Sequence, residues 1–196
     1  MADKKIHLVA ELSNKSPFIN EAVSVTYKLY VSPDTGVDNW RELEAPRYAN
    51  FWSNNIDIKS LNVQNGTYKG EPYRYVVLRR TLLYPQKTGR LKIEPLTLDI
   101  SVQVPSNRRD FFGNLISSSV NKTVSAGSSF IDVKPLPIDN KPNDFSGAVG
   151  DFNFEIKSDK KSLLIDEAFQ LSLIISGNGN FNLFEDPKIS LPSSLE

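Results

Sequence analysis

Residues 73–104, YRYVVLRRTLLYPQKTGRLKIEPLTLDISVQV, constrain the fold more than any other stretch of the chain. Residues 73–84 are dense in β-branched and aromatic side chains, which fit a pleated surface. Residues 85–89 are turn chemistry, with Pro85 presetting φ and Gly89 tolerating a positive φ. Leu91 and Ile93 then place apolar side chains on odd positions. After Glu94-Pro95 the apolar set moves to even positions: Leu96, Leu98, Ile100, Val102 and Val104. A one-residue phase slip across a proline predicts a bulge or a strand break there. The stretch therefore predicts strand, turn, strand, kink, strand.

The remaining apolar residues extend the pattern. Ile6, Leu8, Ala10 and Leu12 alternate, as do Val23, Val25, Tyr27, Leu29 and Val31, so two half-buried strands open the chain. Residues 32–39 read as a polar loop, and residues 40–52 as irregular with a short strand. Ile56, Ile58, Leu61 and Val63 predict a further strand, closed by an Asn65-Gly66 hairpin turn. Residues 105–119 show no strand period. Val120–Val133 resumes it, with Ile131 and Val133 alternating, and Phe152, Phe154, Ile156 and Phe169, Leu171, Leu173, Ile175 alternate again near the C-terminal end. No segment of a dozen residues carries a helical stripe. The expected fold class is all-β, an immunoglobulin-like β-sandwich with one complete domain and part of a second. Residues 1–133 are the first domain. Residues 134–150, rich in Pro, Asn, Asp and Gly, are an interdomain linker. Residues 151–196 begin a second, truncated sandwich.

An internal repeat supports that division. Lys15–Tyr27, KSPFINEAVSVTY, aligns at a constant offset with Lys161–Leu173, KSLLIDEAFQLSL. Lys, Ser, Ile, Glu and Ala coincide, Asn20 falls on Asp166, and the alternation after Glu-Ala is in phase. Self-similarity at a fixed offset argues for duplicated domains. A sandwich takes about seven strands, and the second unit has two or three, so the chain is expected to be part of a longer protein.

Composition removes several functions. Lys plus Arg and Asp plus Glu are 23 each, so net charge is zero and no global field attracts nucleic acid or anionic lipid. Cysteine is absent, which excludes disulfides, thiol catalysis and cysteine metal sites. No apolar run approaches the roughly 20 residues of a membrane span. MADKK leads straight into the first strand, so no signal peptide is read ahead of it, as expected of a chain beginning after a removed leader. The single histidine, His7, lies on the polar phase of the first strand and reads as solvent-facing. Gly177-Asn178-Gly179-Asn180 reads as a hairpin turn, because a dinucleotide fingerprint needs a third glycine where Asn182 stands. Asp139, Asp144 and Asp151 match no calcium-loop spacing. Arg79 and Arg80 must face opposite sides of a strand, one pairing with a carboxylate or stacking on Tyr73 or Tyr75. No catalytic, metal-binding or cofactor-binding residue is predicted.

The candidate partner-binding residues are Arg108, Arg109, Phe111 and Phe112. Two phenylalanines in a Gly/Asn/Ser loop behind two arginines form either an exposed contact for a partner or lipid, or a pair tucked onto the sandwich end. A carbohydrate-binding platform of Trp40, Tyr48 and Trp52 is an alternative, and a hydrolase assembled from distant residues a weaker one.

Three stretches resemble the BatD aerotolerance (oxygen-tolerance) family. They are RRTLLYPQKTGRLKIEP, RDFFG at residues 109–113, and VKPLP…KPNDFSGAVGDF over residues 133–152; ISGNGN at residues 175–180 adds a fourth. The resemblance implies a periplasmic, membrane-anchored cell-envelope protein with tandem immunoglobulin-like domains. It implies a non-enzymatic adaptor linked to aerotolerance or stress tolerance. Its expected partners are von Willebrand A-type membrane proteins. The chain departs from the family in lacking a signal and a membrane helix.

Overall fold

The structure is a computed structural model that describes residues 5–109, 111–113, 115–183, 189–190 and 192. It is all-β. In chain order the strands are β1 (Ile6–Leu12), β2 (Val23–Val31), β3 (Gly36–Glu44), β4 (Phe51–Ile56), β5 (Gln64–Tyr68) and β6 (Glu71–Pro85). They continue as β7 (Gly89–Ile93), β8 (Thr97–Arg109), β9 (Leu115–Ser125), β10 (Ser129–Val133), β11 (Gly150–Ser158) and β12 (Leu171–Gly179).

One antiparallel layer has the order β1-β2-β6-β4. The 15-residue β6 is long enough to take β5 along its first half and β4 along its second. The other layer holds β3-β8-β9 and β10-β7. Thr97 lies opposite Ser125 and Ile93 opposite Ser129, four residues further along each strand, so one register runs through both pairings. β7–β8 and β9–β10 are thus two long strands, each interrupted once. The break in the first falls at 94–96, where the phase slip predicts it. Ile93, Leu96, Leu98 and Ile100 are all buried on the same core despite the change of parity.

That core is shared by the two layers. Leu8, Val25, Tyr27, Leu29 and Leu83 come from one, and Leu91, Ile93, Leu98, Ile100, Val102, Val124, Ile131 and Val133 from the other. Each such side chain contributes about 1.5–3 kcal/mol over its exposed state. Tyr27 is fully buried with its hydroxyl donating to Glu94 O at 3.2 Å, so its polar end costs little. The segment before β2 closes the layer, with Asp132 N donating to Lys15 O and Ile19 N to Lys134 O.

Four local expectations are corrected. Residues 57–63, read as strand from Ile56, Ile58, Leu61 and Val63, carry none, because β4 ends at Ile56 and β5 begins at Gln64. Residues 36–44, read as loop and irregular chain, form β3. Its apolar residues have no period of two because register shifts at Val37/Asn39 and Glu42/Glu44 break the phase, and pairing with β8 makes it a strand. Asn65-Gly66 lies inside β5. The turn is Lys69-Gly70, with φ of 52° and 86°, the double positive φ that a two-residue hairpin loop requires. Gly66 is needed for another reason: a Cβ there would lie 2.9 Å from the Tyr75 ring. The aperiodic residues 105–119 are the end of one long hairpin, with β8 running to Arg109 and β9 starting at Leu115.

The repeat is visible atom by atom. Leu12 faces Val25 in β1–β2, and the repeat-equivalent Ser158 faces Leu171 in β11–β12. Asn20 and Asp166 both adopt the left-handed conformation, φ 65° and 66°, which Asn and Asp tolerate best after glycine. Glu21 accepts from Phe18 N at 2.7 Å and Asn14 Nδ2 at 2.9 Å; Glu167 accepts from Leu164 N and Lys160 Nζ, both at 2.9 Å. Ser24 N donates to Ser13 Oγ as Gln170 N does to Asp159 Oδ1. These bonds hold the Glu167 carboxyl below its ordinary range, the Leu164 N–H first and Lys160 second. The difference lies in cover. Leu8 is 6% exposed, whereas its counterpart Phe154 is 59% exposed.

Candidate functional site

The tip of the β8–β9 hairpin is the site that sequence and structure single out together. Its stalk is an unbroken antiparallel ladder from Thr97↔Ser125 to Pro105↔Ser117, followed by a register shift before Arg109↔Leu115. Pro105 supplies no ladder donor, so a shift beyond it is where pairing yields most easily. Phe111 and Phe112 stand in the turn and Gly113 leaves it with φ 82°, the left-handed conformation that favours glycine. Arg109 Nη1 donates to Gly113 O at 2.6 Å, tying the end of one strand across the turn.

Phe111 is 98% exposed and Phe112 85%, the rings edge to face at 5.7 Å. Of the two readings for this pair, the tucked one is overturned. The hairpin carries the rings beyond the shared core, and they pack on each other. Burying two phenylalanine side chains is worth about 3–6 kcal/mol, and this fold leaves that unused. Arg109 is placed in the turn's hydrogen bonding. The side chain of Arg108, and Asp110 and Asn114, lie outside the described residues.

The other candidates disperse. Trp40 and Tyr48 pack half-buried against the core, which leaves only Trp52, 45% exposed and tilted 53° to Tyr84, presenting much of its ring to solvent. His7 is half-buried rather than solvent-facing: its ring stacks on Tyr68 at 4.2 Å and its Nε2 sits 3.2 Å from the Tyr73 hydroxyl. The β5–β6 hairpin brings those tyrosines over β1, a long-range contact that strand phase cannot register. Arg79 pairs with Glu42 across the layers at 2.8 and 3.1 Å. Lys28, not an arginine, sits over Tyr75. Gly177-Asn178-Gly179 is the end of β12 rather than a turn. Cβ atoms at Gly177 and Gly150 would lie 2.0 Å from Asp151 O and 2.3 Å from Asn178 O, so the glycines permit close strand approach. Asp139, Asp144 and Asp151 do not converge, and no cluster able to hold a metal occurs among the described residues.

A cleft of about 800 Å³ lies between the turn before β2 and the start of the β11–β12 pair, with Phe18, Glu21, Tyr84, Asp151 and Phe181 on its walls. Glu21 is committed there to Phe18 N and Asn14. Among the described residues no helix is long and apolar enough to cross a membrane. No family model, no curated protein and no solved structure matches the chain.

Proposed function

We propose that this chain is a non-enzymatic docking module, a β-sandwich that presents the Phe111-Phe112 tip to a protein partner. The near-complete exposure of both rings at the end of a paired hairpin carries the reading. Aromatic residues dominate interface energetics, and a paired stalk limits the ordering cost of binding. Arg109, held to the turn, adds the other residue type enriched at such contacts.

The sandwich itself we read as immunoglobulin-like. The order β1-β2-β6-β4 opposite β3, β7–β8 and β9–β10 corresponds to the ABED and CFG sheets of that fold. The β11–β12 pair we read as the opening strands of a second copy, on the strength of its shared register and shared carboxylate-closed turn. In this reading its exposed face, Phe154 and Ile156 at 59% and 57%, awaits an opposing sheet. The BatD resemblance supplies the setting: the periplasmic side of a cell envelope, membrane anchoring in the whole protein, and von Willebrand A-type proteins as partners in aerotolerance. The test is affinity capture from an envelope extract with wild type and with the Phe111→Ser/Phe112→Ser variant. Recovery of the partner should fall at least about tenfold, equivalent to 1.4 kcal/mol, with unchanged Tm. Equal recovery refutes the tip as the contact.

A further inference from the structure

A small pocket opens where the two layers part, at the end of β2 and the start of β6. Leu29, Val31, Val37, Trp40, Val63 and Val76 make it predominantly apolar, Thr35 and Tyr75 complete the wall, and Arg74 brings a cation to it. Its volume is about 180 Å³, room for about six water-sized groups.

Arg74 is incompletely satisfied. Its Nη2 donates to Thr35 O at 2.9 Å and, at 3.4 Å, to Pro33 O, while Nε is buried with no hydrogen-bond partner. Among the described residues no carboxylate pairs with it. A guanidinium always carries its charge and presents its N–H groups in a fork suited to carboxylate oxygens.

We propose that this pocket binds a short-chain aliphatic carboxylate. Its chain lies against the Leu/Val wall, and its carboxylate pairs with the Arg74 guanidinium. The assignment rests on two independent features, an apolar cavity of matching size and a guanidinium on its wall that no carboxylate neutralises among the described residues. It does not depend on the hairpin tip at the far end of β8.

Pentanoate is the probe, with pentanol lacking the charge and acetate lacking the chain. Binding is read from Trp40 fluorescence in a Trp52→Phe background. Pentanoate should saturate the signal and bind at least tenfold more tightly than either comparator. Arg74→Met, which keeps the side chain's length without its donors, should remove that preference and leave pentanol unchanged. Val63→Asp is the second variant, because Val63 is 69% exposed at the mouth and its replacement does not disturb the core. It should weaken pentanoate several-fold and pentanol not at all. Pentanol binding as tightly as pentanoate overturns the role of Arg74, and absence of saturable pentanoate binding overturns the site.

Discussion

Glu21→Ala should lower the stability of the first unit by about 2 kcal/mol. Glu21 accepts from Phe18 N at 2.7 Å and Asn14 Nδ2 at 2.9 Å, closing the turn that leads into β2. Hydrogen bonds to a charged group contribute about 1.5–3 kcal/mol. The site is half-buried, so water partly replaces both bonds and the loss falls below their sum, to about 2 kcal/mol. For a unit of this size about 1 kcal/mol moves Tm by about 4 °C, so the melt should come roughly 8 °C earlier. Thermal unfolding followed by far-ultraviolet circular dichroism reads it directly. Glu21→Gln retains one carbonyl acceptor and should lose about half as much. Glu167→Ala removes the equivalent carboxylate from the turn before β12 and should leave the first unit's transition in place, because distant sites act independently. The reasoning fails if Glu21→Ala melts within about 2 °C of wild type, or if Glu167→Ala moves the same transition equally.

Gly177→Ala forces a Cβ to within 2.0 Å of Asp151 O, so hydrogen exchange should accelerate across β11–β12 and stay unchanged in β1–β2. Burial first, and the hydrogen bond to Glu11 second, push the Tyr30 pKa from 10.0 up to about 12; burial pushes Tyr27 further up. Both tyrosines favour the folded state in their protonated form. That stabilisation is whole below the unfolded value near 10.0 and drains away as pH rises to about 12, so Tm should fall across that window while absorbance at 295 nm shows tyrosines ionising late. Limited proteolysis should cut first within 134–150, which carries no strand before Gly150, and leave a folded piece ending near Val133; first cuts inside β6 or β8 would contradict the division.

Much of the fold is legible in the chain because alternation is a local property. The bounds of β1 and β2, the turn before Gly89 and the break at Glu94-Pro95 all follow from which side of a strand each side chain takes. β3 escaped because bulges erase the period, and only its pairing with β8 makes it a strand. Asn65-Gly66 misled for a related reason. That pair suits a tight turn, but Lys69-Gly70 takes it, and Gly66 instead makes room for a ring from β6. The repeat was legible as letters, and its basis is the carboxylate of Glu21 or Glu167 closing the turn. The candidate tip was legible as composition alone. Exposure of Phe111 and Phe112 depends on how far the β8–β9 ladder extends past the core, and an aperiodic run like 105–119 does not encode that in its pattern. Arg74 was invisible as a site because its place on the pocket wall arises from the packing of β2, β3 and β6 together.

Photo-crosslinking from the hairpin tip tests the central claim most directly. Benzoylphenylalanine in place of Phe111, with the same group at Asn140 between β10 and β11 as control, is irradiated in an envelope extract. The docking account predicts one dominant crosslinked protein from position 111, competed away by unlabelled wild-type chain and absent from position 140. Equal, uncompeted labelling from both positions, or none from position 111, would contradict it.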